Sequence, residues 1–201
     1  MKCQFDHHQD YQLEAISAVT DVFKDQPLAK GDFQLTISGK NDTGLFASQV
    51  QTEKGIGNQL VIDDSLVFEN VKAVQKRNHI IANHPPEFKG KNFTIEMETG
   101  TGKTYVYLRS AFELNKNYGF TKFVIVVPSV AIREGVAKSL EITQEHFKKI
   151  YGIDADWFVY NSAKPTAVRD FATNDNLSIM VINIDAFKEK TIKFDNNCWT
   201  R

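Results

Sequence analysis

Seven residues constrain this chain more than any others: Glu98-Thr99-Gly100-Thr101-Gly102-Lys103-Thr104, set between an apolar run and an amphipathic segment. Gly100 and Gly102 can take backbone conformations closed to residues with a Cβ, so successive N–H groups can turn inward around an anion at a helix N-terminus. Lys103 then offers a mobile positive charge to the terminal phosphates, and the Thr104 hydroxyl offers one ligand position to a bridging Mg²⁺. Thr99 and Thr101 complete the cradle, so residues 99–104 read as a nucleotide phosphate loop. The blander reading, a glycine-rich βα turn with an exposed lysine, does not account for the strand pattern before it and the helix pattern after it. A longer form of this pattern has a glycine where Met97 stands, which marks a subclass.

At 201 residues the chain has the length of one domain with a real core. Its 42% hydrophobic and 24% charged residues exclude the disordered and low-complexity classes. Lys and Arg number 24 against 25 Asp and Glu, so no global positive field drives DNA or membrane binding, and any nucleic-acid site must be local. The basic excess falls in 91–150. Cys3 and Cys198 stand at opposite ends and form neither a disulfide framework nor a four-ligand zinc site. The N-terminus is polar and no apolar run approaches the roughly 18 residues of a bilayer span. A cytoplasmic location with no membrane partner is therefore expected.

Apolar residues recur every three or four positions from Gln9 to Phe23, which predicts an amphipathic helix ending before Pro27. Residues 31–64 change to short alternating runs, Phe33–Ile37 and Leu60–Ile62, punctuated by glycines, as expected of hairpin strands. Leu66–Arg77 reads as a helix, and His84-Pro-Pro-Glu87 marks a break. These features suggest an N-terminal helix in 1–30, a β-rich insertion with a helix in 31–90, and an α/β unit in 91–201. In that unit strands at Phe93–Glu98, Lys122–Val127, Asp156–Tyr160 and Leu177–Ile184 alternate with helices at Lys103–Asn117 and Val130–Tyr151. This order predicts a parallel sheet with helices on both faces.

Met97–Thr104 followed by Tyr105-Val-Tyr-Leu108, then Val126-Val-Pro-Ser-Val-Ala-Ile-Arg-Glu-Gly135, closely resembles the Res subunit of type III restriction-modification systems, a superfamily 2 helicase-like translocase. Asp10–Ile16, Gly55–Asn58, Glu69–Val71, Phe112–Lys116, Tyr118–Lys122 and Ile182–Phe187 resemble it in the same order, so the likeness runs to about residue 187. The resemblance implies a partial RecA-like P-loop fold, ATP and Mg²⁺ as cofactors, and double-stranded DNA and the modification methyltransferase subunit as partners. It also implies that Gln12 reads the adenine edge with its amide donor and acceptor. A polar position on an amphipathic helix is the other reading of Gln12. Pro128, Ser129 and Arg133 match a loop that touches the DNA backbone in relatives, and Asn183, with Asp185, matches a second one. Each also reads as an ordinary loop residue.

Other polar residues suggest structure rather than chemistry. The five histidines lack ligand spacing, and Asp63-Asp64 reads as a helix N-cap. No Asp-Glu-x-His run, which would hold Mg²⁺ and activate water, follows Lys103. The expectation is therefore a nucleotide-binding N-terminal part of a Res subunit, truncated and without efficient turnover by itself. Two alternatives stand: a non-enzymatic remnant that binds the modification subunit or competes with an intact Res, and a small phosphotransferase using the same loop. A sheet lacking later strands also leaves an open edge prone to pairing or aggregation.

Overall fold

The computed structural model describes residues 5–37, 51–80 and 91–187. Helix α1 spans Asp10–Thr20 and buries Gln12, Ile16 and Thr20, and a 3₁₀ turn at Asp21–Phe23 takes the place of its expected last turn. Strands β1 (Lys30–Ile37) and β2 (Gln51–Asn58) form an antiparallel hairpin in which Lys30 faces Asn58 and Ile37 faces Gln51. Helix α2 spans Asp64–Arg77, and Asp63 caps it by accepting the Leu66 N–H at 2.8 Å, as its sequence suggests. The expected break at His84–Glu87 lies outside the described residues, as does the chain from 188 onward.

The strand expected at Leu60–Ile62 does not form. The N–H groups of Val61 and Ile62 donate to Oε1 of Gln26 at 2.8 and 3.3 Å, so a buried side-chain amide takes the bonds a ladder would use. The same amide donates to the carbonyls of Pro27 and Gln59, leaving it satisfied although Gln26 is only 5% exposed. Asn70 of α2 similarly donates to the carbonyls of Val22 and Lys24, which fixes α2 against the end of α1.

The α/β unit contains helix α3 (Lys103–Tyr118), strand β3 (Lys122–Val127), helix α4 (Val130–Tyr151), strand β4 (Asp156–Val159), helix α5 (Pro165–Thr173) and strand β5 (Ser178–Asn183). The three strands are parallel in the order β3-β5-β4. Because β5 is central, Ile179, Val181 and Ile182 are fully buried, which explains its unbroken apolar run. Alternate residues face opposite sides. Ile179, Val181 and Val127 meet Leu108 and Phe112 of α3 and Val136, Leu140 and Phe147 of α4. On the other side Phe171 of α5 packs edge-on against Phe158 at 5.9 Å. Helix α5 was not anticipated from sequence. Its signal is Pro165 at the first turn, where a missing N–H is harmless.

Residues 93–98 are not a strand. Among the described residues β3 pairs only with β5, so this segment has no ladder to join, and Phe93 and Ile95 stay 43% and 51% exposed. Its apolar alternation was real, but alternation yields a strand only where a partner supplies the hydrogen bonds.

Candidate nucleotide-binding site

The loop leads directly into α3. Gly100 and Gly102 have φ values of +85° and +84°, the left-handed region that residues with side chains rarely enter. A Cβ at Gly102 would also lie 2.6 Å from Nε2 of Gln12, so that amide would have to move away from the loop. The loop is tied into a turn by Thr101, whose hydroxyl donates to the Glu98 carbonyl at 2.7 Å, and the Val106 N–H begins the helical ladder on the Gly102 carbonyl. The first N–H groups of α3 have no partners within the helix, and together with its dipole they make this end attractive to anions.

Lys103 folds back over the loop, and its ammonium donates to the carbonyls of Met97 and Glu98 at 2.7 and 2.9 Å. Lys103 is exposed and Thr104 half-buried, so both side chains lie at an accessible rim. Tyr107 stands one turn along α3 from the loop, with its ring partly exposed, and desolvation at its hydroxyl raises that group's pKa above its ordinary range. A left-handed glycine cradle, a helix N-terminus, a lysine and a threonine hydroxyl form a donor set that fits a polyphosphate with a divalent cation.

Gln12 arrives from 89 residues upstream. It is 9% exposed, and its Nε2 donates to the Thr101 carbonyl at 3.0 Å, so the structure brings Gln12 and the phosphate loop together. Packing of α1 along α3 supports this placement, with the Tyr118 hydroxyl donating to the Thr20 carbonyl at the far end.

The other candidates gather at the carboxyl end of the sheet. Val127 is in register with Asn183, so the loops that follow β3 and β5 leave the same edge. Ser129 caps α4 by accepting the Ile132 N–H, Arg133 pairs with its neighbour Glu134 at 2.9 Å, and Pro128 is exposed. Asn183 accepts the Asp185 N–H at 3.1 Å, shaping the turn that ends β5. No group of three or more His, Cys, Asp or Glu suited to holding a metal ion occurs among the described residues. Among those residues no helix is long and apolar enough to cross a membrane.

One residue here was not singled out from sequence. Arg109 of α3 is 7% exposed, although an arginine on an amphipathic helix ordinarily reads as solvated. Its spacing from Tyr105 and Phe112, four residues before and three after, places it on the buried face and was the available signal.

A three-stranded parallel sheet flanked by helices and entered through a glycine loop defines a RecA-like P-loop α/β domain. Residues 6–198 match the family profile described as "Type III restriction enzyme, res subunit", and the chain belongs to that family. It is similar to the Res subunit of the type III restriction-modification enzyme EcoP15I of Escherichia coli, at 32% identity over 154 residues covering 67% of this chain and 16% of that protein. Against the EcoPI Res subunit of Escherichia phage P1 the identity is 30% over the same shares. The StyLTI Res subunit of Salmonella typhimurium is 48% identical over 62 residues, 30% of this chain and 6% of that protein. The chain thus spans about a sixth of the length of the first two relatives.

Proposed function

We propose that this chain binds ATP with Mg²⁺, as the nucleotide-binding N-terminal part of a DNA-translocating, DNA-cleaving Res subunit. The observation that carries this reading is the joint between Gln12 Nε2 and the Thr101 carbonyl, inside a loop built by two left-handed glycines. The backbone N–H groups of 99–104 surround the phosphates, Lys103 exchanges its two carbonyl partners for phosphate oxygens, and Thr104 offers its hydroxyl to Mg²⁺. Gln12 turns its amide toward the adenine edge, which presents one donor and one acceptor to it.

Pro128, Ser129, Arg133 and Asn183 form the DNA-facing edge, supported by the shared register of the loops that carry them. One arginine and one helix N-terminus there amount to one or two phosphate contacts, which is weak and salt-sensitive binding. Double-stranded DNA and the modification methyltransferase subunit are the partners of the whole subunit, acting in the cytoplasm. These 201 residues by themselves hydrolyse ATP slowly, because no Asp-Glu-x-His run follows Lys103 in them.

The test is titration of a fluorescent ADP analogue into this chain and into Lys103→Ala, with and without Mg²⁺. Saturable binding that the substitution abolishes and Mg²⁺ strengthens supports the reading. Equal signals from both proteins refute it.

A further inference from the structure

The buried guanidinium of Arg109 has no role in the reading above, yet it lies on the helix that opens at the phosphate loop. Its Nε donates to the Tyr151 hydroxyl at 3.0 Å, and its NH1 donates to the His7 carbonyl at 2.8 Å and more weakly to the Tyr105 hydroxyl at 3.5 Å. Tyr151 in turn donates to a Glu113 carboxylate oxygen at 2.7 Å, so a phenol links the buried cation to a carboxylate. A charge taken out of water must be held by such partners. One of these partners is main chain from 102 residues upstream, a contact between distant segments rather than within a helix.

His7 is five residues before Gln12, and the chain between them is pinned. Asp6 accepts the His8 N–H at 2.9 Å and the Gln9 side-chain amide at 3.1 Å, and the Gln9 carbonyl accepts the N–H groups of Gln12 and Leu13 at 3.0 Å. Arg109 stands six residues after Lys103, about 9 Å along the same helix. The contacts close a ring: loop to α3, α3 through Arg109 to His7, His7 into α1, and Gln12 back to the loop carbonyl of Thr101.

We infer that Arg109 is a positioning residue that fixes the entry of α1 on α3 and so sets where Gln12 stands over the phosphate loop, giving the site its preference for adenine. This rests on the nucleotide-binding reading. Arg109 does not touch the nucleotide. Its removal leaves phosphate recognition intact and loosens base recognition.

The experiment measures calorimetric affinities of ADP, GDP and pyrophosphate for the native chain and for Arg109→Met, Arg109→Lys, Gln12→Ala and their double variant, with Lys103→Ala as the control. Arg109→Met is expected to lower the ADP-over-GDP preference about tenfold, the scale of one lost hydrogen bond, with pyrophosphate affinity unchanged within about twofold. Arg109→Lys restores part of the preference, and the double variant is no worse than Gln12→Ala, because both act through one group. Equal weakening of all three probes, an additive double variant, or a native chain that binds ADP and GDP alike overturns the inference. Should Arg109→Met not fold, Tyr151→Phe, which removes the hydroxyl that accepts from Arg109 and donates to Glu113, is expected to shift the preference in the same direction by less, and no shift overturns it. Amide hydrogen exchange of residues 9–13 is read in parallel without nucleotide, and no faster exchange in Arg109→Met also overturns it. Failure of nucleotide binding altogether shows instead as native and Lys103→Ala chains indifferent to all three probes.

Discussion

The two flanks of α3 were built to different degrees. Toward α4 and the N-terminal segment the helix is sealed: the Phe112 and Phe147 rings pack tilted at 4.8 Å, Phe147 is 1% exposed, and Arg109 lies inside with its polar partners. Toward the edge of β3 it is open. Tyr107, Val124 and Val126 are exposed, and a cleft of ≈ 290 Å³ lies between Tyr107, Ala111, Phe123 and Ile125. In the segment that enters the loop, 93–98, Phe93 and Ile95 are 43% and 51% exposed and Met97 is half-buried. The contrast teaches that the phosphate loop takes its shape from its own glycines, Thr101 and Gln12. The residues that lead into it, 93–98, are not a strand.

The sealed side carries the largest expected effect. Phe147→Ala is expected to destabilise the chain by about 3–5 kcal/mol through lost burial and a residual cavity, measured by urea unfolding. A loss under about 1 kcal/mol would show that this flank is no better packed than the open one. Gly102→Ala follows, at about 1–3 kcal/mol for a strained left-handed residue, and the displaced Gln12 amide adds a loss of nucleotide-analogue affinity that Gly135→Ala does not cause. Next is a pH effect confined to the sealed flank. Burial first, then the charges of His7, Arg109 and Lys149, lower the His146 pKa below its ordinary 6.5, and its Nε2 sits 2.9 Å from the Tyr105 hydroxyl. A base with a depressed folded pKa binds more protons when unfolded, so stability is fully present above about pH 6.5 and declines as pH falls through the folded value. Denaturation midpoints between pH 5 and 8 should show that decline, and His146→Gln should flatten it. The smallest effect belongs to the segment entering the loop, where replacing half-exposed Ile95 by Thr is expected to change stability by no more than about 0.5 kcal/mol.

The alternation of strands and helices after residue 100 was legible because each apolar run is bounded by glycine, proline or a cap, as at Gly119, Pro128 with Ser129, and Gly152. The loop was legible because two glycines, a lysine and a threonine have few other uses at that spacing. The sheet order was not, because β3 and β5 are equally apolar in sequence and only pairing reveals that β5 is central. Leu60–Ile62 and Phe93–Glu98 failed for one physical reason: a strand is a property of two segments, and in each case the partner is a side-chain amide or is not found among the described residues. Gln12 could be marked from sequence, but its contact with Thr101 depends on α1 lying along α3, which no local pattern encodes. Arg109 was missed because its spacing from Tyr105 and Phe112 marks a buried face, while the acceptors that hold it there come from His7 and Tyr151, far away in sequence.

Asn58, the last residue of β2, accepts the N–H groups of Thr121 and Lys122 at 2.7 and 3.0 Å and donates to the Lys122 carbonyl at 2.7 Å. One side chain thereby imitates the backbone of a neighbouring strand at the foot of β3. The hairpin thus acts as a register stop: any strand added to that edge must begin beyond Lys122 and has only Phe123–Val127 to bond. A one-residue slip would exchange which of its side chains meet the α3 side and which meet Val124 and Val126. By blocking the first rung, Asn58 helps decide which face of such a strand is turned inward.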